Sequence, residues 1–384
     1  MARTPAPVVE PSDFASFEGH IWLNCAHQGP LPSCAARAAS EAIAWKERPW
    51  ELTSERFRDV PERLRGALAR LIGADANDIV LANSASYGLH LIGAGLRWRA
   101  RDEVLVMETD FPSDILPWLR LEKHGVTVRR ERPRGHVFEP DEIAKCFSPQ
   151  TRLLCLTWVH SFSGWAIDID AIGRLCRSRN VTFVVNASQA IGAAAFDVAA
   201  AGVDAVVSVG FKWLCGPYGT GFCWLDPRLR QQLDPPKAYW LSMFTADDLS
   251  GSIDVRLRHD SSASALDIFG TANFLNFVPW TASVEYLLTR GIPAIAAYDQ
   301  ALLDRFFEAL DRNRYDVISP AHGSQRSTLI VLRHRLEGHT ERAFQALQAA
   351  RIHIAIRSGN IRISPHLYNS AHDIDRLVDV LNAI

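Results

Sequence analysis

The chain has 384 residues, 48% of them hydrophobic and 22% charged, with a formal net charge of −2. That length predicts two domains, or one large domain with a smaller one attached. The near-neutral balance argues against nucleic acid or a polybasic membrane surface as partner. The opening "MARTPAPVVEPSDF" has no apolar core of signal-peptide length and no run is long enough to span a bilayer, so a cytoplasmic location is expected. The seven cysteines, odd in number and never in a CxxC pair, read as reduced thiols and not as a disulfide framework or a metal site.

From Asp78 onward, strand-like runs alternate with helical patterns. "DIVLA" precedes "SYGLHLIGAGLRW", "DEVLVME" precedes "SDILPWLRLEKHG", and "RLLCLTW" precedes "DIDAIGRLCRSRN", with "TFVVNA" close behind. These strands are continuous apolar runs, as expected of a parallel sheet covered by helices on both faces. The alternation to about Phe222 predicts an α/β domain. Residues 247–264, "DDLSGSIDVRLRHDSSAS", are polar and aperiodic and predict an irregular loop or linker. Beyond it, "NFVPWTASVEYLLTRG" and "DQALLDRFFEALDRN" read as helices and "RSTLIVLRHRL" as a strand. "ERAFQALQAARI" and "HDIDRLVDVLNAI" follow as two more helices. This order predicts a smaller α+β domain.

Ligands of open α/β sheets bind just past the carboxyl ends of the strands, and five such segments carry unusual residues. "ANSASYGLH" places Ser84 and Ser86 at a helix start, where free N–H groups and the dipole favour phosphate; a serine there also serves as a plain N-cap. "ETDFPSDILPW" places Phe111 after a strand, "WVHSFSGW" places His160 and Ser161, and "VVNASQAIG" ends a buried strand on Asn186 with Gln189 three residues on. "VVSVGFKWLCGPYGTGF" sets Lys212 between a β-branched run and a glycine/proline turn. Burying a lone ammonium is costly without a partner.

Taken in this order, with "IWLNCAHQGPLP", "FGTANF" and "IRISPHLYNSAHDIDRLVDVL", the segments resemble the class V aminotransferase group of fold-type I pyridoxal-phosphate enzymes. That group includes cysteine desulfurases, kynureninase, isopenicillin N epimerase and carbon–sulfur lyases. The resemblance spans nearly the whole chain. It implies a large pyridoxal-phosphate-binding domain over 31–265 with a mainly parallel sheet sandwiched by helices. It also implies a small α+β domain over 266–384, and an N-terminal segment, 1–30, that contributes to the small domain and the active site.

The resemblance implies that Lys212 is bound to the cofactor aldehyde and, once freed, serves as the base at the substrate α-carbon. It places the N–H groups of Ala85, Ser86 and Tyr87 at the phosphate, Phe111 over the cofactor ring, and Gln189 and Ser161 beside it. It gives Thr271 the phosphate of the neighbouring subunit, which implies a homodimer, and it gives Arg362 the substrate carboxylate. His27 and His160 lie in motif segments and are candidates to face the substrate and assist catalysis.

Three departures bear on the reaction. Asn186 stands where the family has the aspartate that keeps the pyridine nitrogen protonated, which predicts a weaker electron sink. Val209 and Phe211 replace the serine and histidine that precede the family's lysine, leaving Ser208 or Thr271 to reach the phosphate. "AIRSGNIRIS" (355–364) lacks the cysteine that a desulfurase carries there, and Cys215 follows the lysine too closely to replace it. These features favour a β-eliminating carbon–sulfur lyase acting on an amino acid with a leaving group at the β-carbon, such as a substituted cysteine. The alternatives are an α-carbon epimerase of the isopenicillin N kind or decarboxylative or oxidative chemistry in secondary metabolism.

Overall fold

The computed structural model describes residues 7–235, 238–240, 243–244, 250–251, 255–257, 262–270 and 272–384. Most of the linker expected over 247–264, and Thr271, lie outside them. The first strand, β1 (Ile21–Trp22), belongs to the N-terminal segment. The central sheet is built from β2 (Ile79–Ala82), β3 (Glu103–Met107), β4 (Thr127–Glu131), β5 (Thr151–Thr157), β6 (Thr182–Asn186), β7 (Ala205–Val209) and β8 (Gly221–Leu225). Its order is β2-β8-β7-β6-β5-β3-β4. Every neighbouring pair is parallel except the two that involve β8.

The apolar runs are continuous because both faces of this sheet are covered. Leu105, Leu154, Val185, Val206 and Phe222 point into one buried cluster. Their strand neighbours Val104, Leu153, Val184, Val207 and Cys223 point into the other, following the two-residue period of a strand. The helix Phe274–Arg290 packs on Ser33–Glu47 and Ser54–Ile72. The edge strand β2 is covered by the segment 262–270, where Ile268 N–H donates to Leu81 O at 2.9 Å. The Asp267 carboxylate accepts there from Leu81 N–H at 2.8 Å and pairs with the buried Arg65 at 2.7 Å.

The C-terminal part contributes five more strands, β9 (Tyr315–Val317), β10 (Ile330–His334), β11 (Ile352–His353), β12 (Ala355–Arg357) and β13 (Asn360–Ile363). Four of these form an antiparallel sheet in the order β12-β13-β10-β9, while β11 pairs in parallel with β1. The N-terminal segment is thereby tied to the C-terminal sheet. The helices Ile292–Ala309, His339–Ala349 and Ala371–Asn382 cover it, around Leu302, Phe306, Leu332, Leu347, Ile363 and Leu377.

One expectation differs from the structure in detail, and one strand was not read. "SDILPWLRLEKHG" forms not one helix but the short turns Pro112–Asp114, Leu116–Leu119 and Arg120–His124, because Pro112 and Pro117 remove backbone donors and constrain the residues before them. Edge strand β4 carries "TVRRE", partly exposed throughout, and its charges hide the strand pattern.

Candidate active site

Lys212 lies in the turn that joins β7 to β8. Gly210 N–H donates to Thr220 O (2.9 Å), Gly216 N–H to Gly210 O (2.8 Å) and Cys215 N–H to Lys212 O (3.0 Å), which closes the turn on itself. Three other parts of the fold clamp it. Gly29 N–H donates to Phe211 O at 2.9 Å, and a Cβ at position 29 would collide with the Lys212 carbonyl. The Trp213 indole donates to Gln189 Oε1 at 3.0 Å. His366 Nε2–H donates to Trp213 O at 3.1 Å, while its Nδ1–H donates to the buried Asp299 at 2.8 Å. With both ring nitrogens donating, His366 is an imidazolium. Burial works against that charge, but the Asp299 carboxylate outweighs it and raises the group to about 10.

The ammonium of Lys212 is itself depressed to about 8, first by burial and then by Arg362, with Asp114 opposing. A lysine so placed is a neutral base over much of the range where a surface lysine is charged.

Around it is a cavity of about 350 Å³, a size suited to a small ligand. It lies past the carboxyl ends of β2, β5, β6 and β7, and its walls bring together Lys212, Ala85, Ser86, Phe111, Ser161, Asn186, Gln189, His27 and Arg362. Ser84 caps the helix Ala85–Gly95, its hydroxyl accepting from Tyr87 N–H at 3.3 Å. A Cβ at Gly221 would come within 2.7 Å of the Ser84 backbone, so glycine at the start of β8 lets this helix start approach the sheet. The Phe111 ring lies 5.9 Å from Lys212 Nζ and stacks on Phe162 at 6.2 Å. Val209 and Phe211 form apolar wall.

Arg362, only 3% exposed, donates from Nη1 to Ser161 O at 3.4 Å, and its Nε has no partner. It makes no ion pair among the described residues. Burial and then Arg357 depress it to about 10. An uncompensated buried guanidinium is a strong anion receptor. His27 is lowered by burial and then by Arg357, which keeps its ring neutral near pH 7.

Asn186 ends β6 with its amide fully oriented: Oδ1 accepts from Ser188 N–H at 3.0 Å and Nδ2–H donates to Asp114 Oδ1 at 2.7 Å. Asp114 is completely buried, and its Oδ2 has no hydrogen-bond partner among the described residues. Burial, reinforced by the neighbouring Asp110, holds its carboxyl well above the usual range. Asp110 joins the same loop to the end of β5, accepting from Phe111 N–H (2.8 Å) and Thr157 N–H (2.9 Å).

Three expected residues fall outside the lining. Tyr87 N–H is spent on the Ser84 cap and its hydroxyl donates to Leu266 O at 2.8 Å, while Ala85 and Ser86 line the cavity. Ser208 is turned into the protein, where it donates to Val209 O at 3.3 Å; the alternation of β7 sends it away from the site. His160 is buried between Thr109 O (2.9 Å) and Ser163 Oγ (2.7 Å), where it braces two loops and does not face the cavity. Thr271 is outside the described residues.

Sequence reasoning missed Asp114, Ser188, Tyr218 and Arg357, all of which line the cavity. Only Arg357 had a visible signal, five residues from Arg362 across the "SGN" turn. A larger open trough of about 1480 Å³ lies at the opposite, amino-terminal ends of the parallel strands, among arginines such as Arg99, Arg101 and Arg179. That is the wrong end of the sheet for a ligand site.

Residues 47–377 match the family model of the class V aminotransferases. A probable cysteine desulfurase of Methanothermobacter thermautotrophicus is 27% identical over 97% of this chain and 96% of its own length. The isopenicillin N epimerase of Streptomyces clavuligerus is 27% identical over 94% of both. Among solved structures, the cystine C–S lyase C-DES in complex with its product cysteine persulfide superimposes with a TM-score of 0.86 at 20% identity, over 96% of this chain and 99% of that one. The chain belongs to the class V aminotransferases, fold-type I enzymes dependent on pyridoxal phosphate.

Proposed function

We propose that this enzyme is a carbon–sulfur lyase that eliminates the β-substituent of an S-substituted cysteine. The observation that carries this reading is the β12–β13 hairpin. Ser358 and Gly359, at φ 48° and 76°, turn it in two residues, and it brings Arg357 and Arg362 to the cavity with no cysteine between them. None of the seven cysteines lines the cavity. With no thiol to take up sulfur, the sulfur must depart with its own substituent.

The residues present fit pyridoxal phosphate. The Ala85 and Ser86 N–H groups at a capped helix start suit the phosphate, Phe111 offers a ring to stack on, Lys212 an amine, and Asp114 an unpaired buried carboxyl oxygen. When bound, the cofactor supplies an electrophilic aldehyde and an electron-accepting ring that acidifies the α-C–H of an amino acid. Arg362 holds the substrate α-carboxylate and Arg357 adds positive charge beside it. Lys212, its ammonium lowered to about 8, takes the Cα proton in its neutral form, and His27 and Ser161 line the substrate side. The net reaction consumes water, breaks the Cβ–S bond and releases a thiol or persulfide, pyruvate and ammonium. Apolar Val209 and Phe211 leave phosphate contacts to the helix start and to Thr271 of a second subunit, which supports a homodimer. The free cysteines support a reducing, cytoplasmic location.

A second reading, α-carbon epimerisation, is favoured by one feature: His27, neutral and in the cavity wall, is available as a second acid–base group. Proton NMR in deuterated water with a panel of amino acids separates the two. Loss of the α-proton with release of pyruvate and thiol from S-substituted cysteines is the expected outcome. Exchange of deuterium at an otherwise intact α-carbon would replace the lyase with the epimerase.

A further inference from the structure

We propose that Asp114, and not residue 186, is the acid that serves the pyridine nitrogen of the cofactor, the carboxyl having moved from the end of β6 to the loop that faces it. This rests on the pyridoxal-phosphate reading above and reverses the expectation that Asn186 leaves the cofactor a poor electron sink.

Asn186 is committed on both sides. Its oxygen holds the Ser188 N–H, and its Nδ2–H is directed to Asp114 Oδ1 at 2.7 Å. A neutral amide fixed in this way has no charge to offer a pyridinium. Asp114 has one: one carboxyl oxygen is held by Asn186, and the other is wholly buried, without a partner among the described residues, on a residue that lines the cavity beside Lys212. Among the described residues no lysine or arginine forms an ion pair with it; the Asn186 amide is its hydrogen-bond donor there, and Lys212 favours its charge from a distance. A buried carboxyl oxygen left open is expensive unless a guest completes it. In the empty pocket burial and then Asp110 make the carboxyl hold a proton more tightly than usual, against the Asn186 hydrogen bond and Lys212. When the ring nitrogen is presented, the O–H bond of Asp114 breaks and an N–H bond forms. No co-reactant is required, and the resulting carboxylate gains both the pyridinium and a charge-assisted bond from Asn186. Asn186 then acts as a positioning residue.

The test uses pyridoxal phosphate labelled with 15N in the ring, bound to the full-length protein, together with the dissociation constant of the cofactor. The wild-type ring nitrogen is expected to show the shift of a protonated pyridine. Asp114→Asn is expected to lose that signal and to bind the cofactor about tenfold more weakly or worse, one pKa unit of interaction. The double variant Asp114→Asn/Asn186→Asp, which returns the carboxyl to the strand, is expected to recover the signal. Asn186→Ala is expected to keep it, and this variant decides the matter independently of whether Asp114→Asn folds. A protonated nitrogen that survives Asp114→Asn and vanishes in Asn186→Ala would overturn the assignment, as would an unprotonated nitrogen in the wild type. Wild-type protein that binds no pyridoxal phosphate would instead overturn the cofactor reading beneath it.

Discussion

Lys212 shows why chemistry at this site depends on where single charges are held. Burial and Arg362 lower its ammonium to about 8, and Asp114 pulls in the other direction. Because its folded value lies below the ordinary 10.5, the neutral amine becomes available as pH rises through 8. The rate at which the apoprotein captures pyridoxal phosphate should therefore rise with pH and level off just above 8. Arg362→Met, which removes a neighbouring cation, should move the inflection upward, and stopped-flow absorbance across pH 6 to about 10.5 would measure it. A rate still climbing at the top of that range would mean an unperturbed lysine. Lys212 was legible in the sequence because an ammonium between "VVSVGF" and "WLCG" has no ordinary surface explanation. Asp114 was not: it sits in "SDILPW", among helix-like apolar spacing, and its meaning arises only from contact with Asn186, 72 positions away. Ser208 and His160 misled for a related reason. Their positions next to motif residues were visible, but the direction of each side chain is set by strand alternation and by loop hydrogen bonds.

Elements matter here mainly as clamps on one turn. The lysine turn is held by the N-terminal segment at Gly29, by the end of β6 through Gln189, and by the helix Ile292–Ala309 through Asp299 and His366. The last link reaches the lysine turn through the His366 bond to Trp213 O, and behind it a fully buried pair joins His366 to Asp299 within the C-terminal layer. His366 is raised from 6.5 to about 10, so its contribution to stability is complete below 6.5 and is lost as pH rises through 10. His366→Gln should cost about 3–5 kcal/mol near neutral pH, where Asp299 is ionised, the range for breaking a buried pair, and the gap to wild type in urea unfolding should shrink steadily toward pH 10. A gap that does not change with pH would mean that the pair is not ionic. The parallel strands and long helices were readable because period and apolar continuity report burial directly. The β12–β13 hairpin was not read as paired strands, being only three and four residues long; its role as the carrier of two arginines comes from register, with Ala355 opposite Arg362 and Arg357 opposite Asn360.

At the scale of the whole molecule, exposed apolar side chains stand in the cavity wall and in the segments before Thr271. Phe111 and Tyr218 line the cavity and are 41% and 74% exposed, and Val255, Leu257 and Phe269, in the segments leading to Thr271, are 81%, 79% and 57% exposed. Exposed apolar side chains that gather into a patch mark interfaces, and a two-fold dimer would present such a patch from both subunits. If Thr271 serves the partner's phosphate, each complete site needs Lys212 from one chain and Thr271 from the other. Lys212→Ala and Thr271→Ala should then each bind the cofactor poorly or turn over slowly alone. After joint unfolding and refolding, half the dimers would be mixed, and each mixed dimer would own one intact site, so the mixture should regain about a quarter of wild-type activity. If Thr271 instead serves its own chain, no mixed dimer has an intact site, because each chain carries one of the two lesions. Activity would then stay at the level of the separate variants. Sedimentation at the assay concentration fixes the stoichiometry alongside, and a monomer that retains full activity would remove the shared site altogether.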